Sequence, residues 1–162
     1  MENNYICCFT GHRFIPDGHV IYIPSLIEEA IRDQYHKGAR VFRTGGALGF
    51  DSFAALKVIH MRQSFPDIRL ELCLPCRDQA AKWSGRDQYI YGQILDVADS
   101  VRYVGDVYTS GCMYARNRML VDGARVCIAY YDGGNGGTGY TYSYAQKNGV
   151  KIINLYDMIK NQ

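Results

Sequence analysis

What this 162-residue sequence lacks narrows it first. It holds no uninterrupted apolar run of the roughly 18–20 residues that a membrane-spanning helix needs. Met1-Glu-Asn-Asn4 has neither the basic start nor the apolar centre of a signal peptide. A cytoplasmic protein without membrane contact is the expectation. Charge of one sign is scarce too: 18 Lys and Arg against 16 Asp and Glu leave a formal +2. So small a surplus, with no basic stripe, argues against nucleic acid as the main partner and makes any phosphate recognition local. No second Cys or His pair at ligand spacing accompanies Cys73-Leu-Pro-Cys76, so zinc is not expected. That pair has the spacing of a redox dithiol, but such a motif opens a helix, whereas Cys73 still belongs to a strand-like run. No low-complexity segment, solenoid repeat or domain boundary is visible, and residues 1–162 read as a single domain.

What is present suits a soluble globular chain with one core: 48% hydrophobic and 21% charged residues. Cys7, Cys8 and Cys127 lie in apolar runs, where a reduced thiol is a small hydrophobe. Tyr5 to Thr10 predicts a buried strand, broken at Gly11-His12-Arg13. Leu26, Ile27, Ala30, Ile31 and Tyr35 recur at helical spacing from about Pro24-Ser25 to Gly38, while Asp17 to Ile23 fits neither pattern. Arg40 to Thr44 is a second strand, followed by Gly45-Gly-Ala-Leu-Gly-Phe-Asp51 and a helix to Met61. From Ile68 to Leu74, apolar residues alternate with Arg69, Glu71 and Cys73, which predicts an edge strand. Pro75 to Gln88, with the only tryptophan, Trp83, reads as an irregular lid or binding loop. Tyr89 to Ala98 and Met113 to Asp122 predict helices, Ser100 to Val104 a strand, and Val150 to Leu155 a last strand before a short tail, Tyr156 to Gln162.

The centre of the pattern is Arg125 to Gly149: an apolar strand to Tyr131, the glycine-dense turn Asp132 to Thr138, and a helix stopped by Asn148-Gly149. Such a unit gathers backbone N–H groups at a positive helix terminus, where an anion can sit. Taken alone, the same residues read equally well as a glycine-rich surface loop. Alternating strands and helices predict an α/β, Rossmann-like three-layer sandwich with a mostly parallel, doubly wound sheet. Ligands of open α/β sheets bind beyond the carboxyl ends of the strands. Three polar turns fall there: Thr10-Gly11-His12-Arg13, Thr44-Gly45-Gly46 with Ala47 after it, and Gly133 to Thr138 with Gly136, Gly137 and Thr138 at its end. The last is the first choice for phosphate. The second is a further cradle or ribose contact, or simply a tight turn. Asp51 reads as a helix N-cap or a ribose hydroxyl acceptor. His12 is an acid/base or, more commonly, a structural hydrogen-bonding residue. Trp83, Tyr130, Tyr131 and Tyr140 offer stacking faces, although fourteen tyrosines mean that most must pack.

Thr10-Gly-His-Arg13, Gly45-Gly-Ala-Leu-Gly-Phe-Asp51, Arg116-Asn117 and Gly136-Gly-Thr-Gly-Tyr-Thr141, in that order, resemble the YpsA-like branch of the SLOG superfamily, which takes in DprA/Smf and the Lonely Guy proteins. The resemblance spans nearly the whole chain. It implies a Rossmann-like domain that binds a nucleotide or an ADP-ribose-like derivative, as a sensor or regulatory domain with no separate cofactor. Arg116 would clamp phosphate and Asn117 would read a base or sugar edge. The alternative it carries is the N-glycosidase or phosphoribohydrolase activity of the Lonely Guy enzymes. Met113-Tyr-Ala-Arg116 and Gly137-Thr138 match their pattern, but Thr141 stands where those enzymes have a catalytic glutamate, and a threonine cannot serve as that carboxylate. Asp51 and Asp132 are the nearest substitutes. Single-stranded nucleic-acid binding is a third reading that DprA kinship permits, and self-association an analogy with similar domains.

Overall fold

The computed structural model describes residues 4–159. Residues 1–3, most of the start read against a signal peptide, and 160–162, the end of the expected tail, lie outside it. The strands are β1 (Tyr5–Gly11), β2 (Ala39–Thr44), β3 (Arg69–Cys76), β4 (Ser100–Gly105), β5 (Ala124–Tyr130) and β6 (Lys151–Asn154). The helices are α1 (Asp17–Val20), α2 (Ile23–His36), α3 (Phe50–Met61), α4 (Gly85–Val97), α5 (Cys112–Val121), α6 (Gly137–Lys147) and α7 (Leu155–Ile159). All five strand pairings are parallel, in the order β4-β3-β2-β1-β5-β6. Strand order runs one way from β1 to β4 and the other way through β5 and β6. The switch therefore falls between β1 and β5, where an open sheet leaves a crevice.

Successive strand residues point to opposite faces, and the core divides accordingly. Cys7 and Phe9 join Phe42, Phe50, Val58 and Leu155 in a large cluster with α2, α3, α4 and α7. Cys8 joins Cys73, Cys127, Ala129, Leu120 and Ala145 in a smaller one under α5 and α6. The three layers are thus unequal, with bulky aromatics on one face of the sheet and small side chains on the other. In α2 the stripe Ile23, Ile27, Ala30, Ile31 and Gln34 is buried at helical spacing behind Pro24 in the first turn.

Three local expectations need correction. First, β3 is not an edge strand: β4 pairs outside it. Its alternation comes from an interior ion pair. Glu71 lies in register with Arg43 of β2 and meets it at 2.6 Å. The Arg43 guanidinium also donates to the Asp122 carbonyl (2.6 Å), at the negative end of α5. Second, α4 starts at Gly85 rather than Tyr89, because Ser84 accepts the Asp87 N–H (3.1 Å) as its N-cap. Third, Leu155 and Ile159, one helical turn apart, are buried and make the start of the tail a docked helix, α7. Asp17 to Ile23 resolves into α1 and the entry to α2.

β3 also continues through Cys76, so Cys73 and Cys76 sit three residues apart in one strand. That separation is roughly 10 Å, beyond disulfide reach. Burial pushes both thiols up to about 11. Among the described residues no helix is long and apolar enough to cross a membrane.

Candidate functional site

A cavity of about 670 Å³ opens beyond the carboxyl ends of β1 and β5. Thr10, Gly11, His12 and Arg13 line it from the β1 turn, Ala47 and Asp51 from the β2–α3 turn, Arg116 and Asn117 from α5, and Gly137 and Thr138 from the start of α6. Gly45 and Gly46 stand behind this wall, and Gly136 borders a shallower neighbouring concavity with Arg118 and Tyr140. The topology thus brings the three turns to one place, since β2, β1 and β5 are consecutive in the sheet.

Arg116 is the buried centre of the site, 5% exposed. Its Nη1 donates to the Gly45 carbonyl and its Nε to Asn117 Oδ1 (2.8 Å). A Cβ at Gly45 would stand 2.7 Å from Arg116 Nη1 and 2.9 Å from Asp51 Oδ2, so any side chain there would displace both tips. Asn117 Nδ2 reaches the Gly137 carbonyl (3.4 Å), so its amide ties Arg116 to the start of α6. Its remaining N–H and lone pair are on a side chain that lines the cavity.

Asp51 is not the N-cap of α3. Gly49 takes that place, and the Asp51 carboxylate, one residue into the helix, turns back to accept the Ala47 N–H (3.2 Å). Burial pushes Asp51 up to about 6, against the pull of Arg116, of the Ala47 and Gly45 amides and of Arg13. Burial also pulls Arg116 below its ordinary value, against Asp51. Both groups shift in the direction set by lost solvent, and no ion pair within 4 Å joins them, so desolvation outweighs their attraction. Asp51 therefore holds its proton more tightly folded than unfolded, where its value is 3.8. Its charge penalises the fold above pH 6, and the penalty fades as pH falls toward 4. Relative to Asp51→Asn, the wild type should gain about 2 kcal/mol of stability between pH 7.5 and 4.5. Urea titrations across that range measure the difference; a constant difference would contradict a buried, proton-hungry carboxyl.

The β1 and β2 turns are locked together. Phe50 N–H donates to the His12 carbonyl (3.1 Å), and Gly49, at φ +80°, leaves room for the Arg13 carbonyl where a Cβ would overlap it. His12 Nε2 stands 2.9 Å from Asp132 Oδ1 and 3.1 Å from the Asp132 backbone nitrogen. Asp132 Oδ1 also accepts the Gly134 N–H (2.9 Å), which, with His12 behind it, holds that carboxyl below its ordinary value. His12 and Asp132 thus pin the glycine turn to β1. At the position of the missing glutamate, Thr141 is buried and its hydroxyl bonds the Gly137 carbonyl within α6 (2.9 Å).

Of the aromatic candidates, Trp83 lines the cavity, whereas Tyr130 is 1% exposed and belongs to the core. Arg118 donates to Tyr140 Oη (2.8 Å), away from this cavity. The wall also contains Cys76, Gln79, Tyr108, Met113, Tyr114 and Asn135. The sequence marks Gln79 only by its place in a long loop after a strand and by the family resemblance, which takes in Gln79 to Trp83.

The model of the YpsA family, described as the YspA SLOG family, matches residues 11–160. The SPbeta prophage-derived protein YoqJ of Bacillus subtilis is 30% identical over 118 residues, covering 65% of this chain and 69% of that one. A UPF0398 protein of Macrococcus caseolyticus is 25% identical over 115 residues, covering 70% of this chain and 62% of the relative. Among solved structures, DprA of Streptococcus pneumoniae superposes with a TM-score of 0.65 at 14% identity, covering 91% of this chain and 49% of that one. DprA of Helicobacter pylori, described for its single-stranded DNA binding mode, gives 0.64 at 16% identity, covering 98% and 80%. At such identities these structures share the fold alone.

Proposed function

The chain belongs to the YspA SLOG family, and on that premise we propose that it binds a nucleotide or an ADP-ribose-like derivative at the carboxyl rim of the sheet, as a sensor or regulatory domain. One observation carries the reading. Arg116 is a guanidinium buried beside a cavity with no carboxylate within 4 Å, and its Nη2 donates to no group among the described residues. A buried charge with no opposite charge in contact is costly. A phosphate oxygen would offset that cost, and the free N–H groups at the start of α6, which borders the same cavity, would share the negative charge.

A hydrolytic reading has one point in its favour. Asp51 is the cavity's carboxylate among the described residues, and at about 6 it stands where a general acid works well. Against it, Thr141 stands where the Lonely Guy enzymes have a glutamate, and Asp132 is committed to His12 and Gly134. Calorimetric titration with AMP, ADP-ribose and a single-stranded oligonucleotide separates the readings. One-to-one binding of the small ligands, with no free base released, is expected. Free base would support hydrolysis, tighter oligonucleotide binding would favour the nucleic-acid reading, and silence from the small ligands at millimolar concentration would overturn the proposal.

A further inference from the structure

The end of the cavity built by the loop between β3 and α4 is chemically unlike the end at α6, and it carries its own recognition group. Gln79 Nε2 lies 3.2 Å from the Gly46 carbonyl and 3.3 Å from Tyr91 Oη. A carbonyl oxygen can only accept, so the amide atom facing it must be the nitrogen, and the amide cannot be reversed. Gly46 itself adopts φ +68°, and a Cβ there would run into Leu74, so the position suits glycine. Gln79 Oε1 accepts from no group among the described residues, and Gln79 lines the cavity. Beside it Trp83, seated across Tyr91 at 5.1 Å and 74°, brings an indole to the same wall. β3 lies three strand spacings from β5, roughly 14 Å at 4.8 Å each. That separation suits a nucleotide with its phosphate at the start of α6, beyond β5, and its base at Gln79.

Resting on the nucleotide reading, we infer that Gln79 makes this site select a nucleobase that presents an exocyclic amine, as adenine and cytosine do, over its keto counterpart. The fixed Oε1 accepts an N–H from an amine. Toward a keto oxygen it sets lone pair against lone pair and leaves both without a proton. A site built to complete a hydrogen bond rejects the partner that cannot make it far more strongly than an apolar wall would.

The test compares AMP with IMP, which share phosphate, ribose and ring size and differ in the 6-amino against the 6-oxo group. Ribose 5-phosphate serves as a base-free probe. By calorimetry, wild type should bind AMP at least tenfold more tightly than IMP, and CMP should beat UMP in the same sense. Gln79→Met, which keeps the length but loses the acceptor, should bring AMP down to the IMP level and leave ribose 5-phosphate binding unchanged. Equal binding of AMP and IMP by wild type, a preference that survives Gln79→Met, or loss of ribose 5-phosphate binding in the variant would each overturn the inference while leaving the nucleotide reading intact. Failure of all these ligands to bind wild type would bring down that reading and this inference together.

Discussion

Replacing Gly49 by alanine should destabilise the protein by roughly 4 kcal/mol or more, among the larger effects a single residue can have. Two causes act at once. The residue sits at φ +80° and ψ −125°, a region that residues with a side chain rarely enter. The added Cβ would also overlap the Arg13 carbonyl oxygen, which is backbone and cannot swing aside as a side-chain tip could. Relief requires the β1 turn to move off α3, breaking the bond from Phe50 N–H to the His12 carbonyl and pulling His12 from Asp132. Urea unfolding should show the loss, and any folded fraction should bind nucleotide poorly. Gly18→Ala is the matched control: nothing lies within 4 Å of its missing Cβ and its φ is not positive, so it should be near neutral. Comparable losses in the two variants would show that the turn-to-turn contact does not matter.

Arg116→Met should weaken ADP-ribose binding at least a hundredfold, which is about 2.7 kcal/mol. It should do so without unfolding the protein. A buried charge whose partners are mostly neutral contributes little net stability, and an apolar chain of similar length fills its space. The variant also makes a prediction about pH. Without the arginine, Asp51 loses its main positive neighbour, so its proton affinity rises beyond the already elevated value of about 6. The variant should then match wild type near pH 5, where Asp51 is protonated in both, and fall behind it at pH 8, where the variant must bury an isolated carboxylate. Melting temperatures at the two pH values, with calorimetry at each, read both effects. Undiminished affinity in Arg116→Met would remove the arginine from the phosphate site.

The succession of strands, turns and helices along the chain could be read before folding because it rests on local chemistry. Apolar runs ending in Gly11, Gly45 and the glycines after Asp132 announce strand ends, and the α/β alternation places those ends on one rim. What failed was what depends on partners that only the folded chain supplies. Glu71 looks like a solvent-facing strand residue until Arg43, 28 positions away, is brought alongside it. Asp51 looks like an N-cap until Ala47, four residues back, claims its carboxylate. The hold of Gly45 on Arg116 spans 71 residues and leaves no trace in either motif alone. Trp83 was noticeable as a lone tryptophan in a long loop. The orientation of Gln79 was not, because a carbonyl 33 residues upstream sets it.

The thinness of one layer has its own consequence. Cys8, Cys73, Cys127 and Ala129 carpet the sheet beneath α5 with short side chains, so the helix rides low enough for an arginine on it to touch the tip of a strand. Selection at those four sites is then for brevity as much as for oiliness. A leucine at Cys8 or Cys127 would suit the solvent-free interior well, yet it would act as a shim, lifting the helix and carrying the guanidinium away from the mouth of the crevice. Damage to recognition can therefore begin on the far side of the sheet's rim, at residues no ligand ever meets.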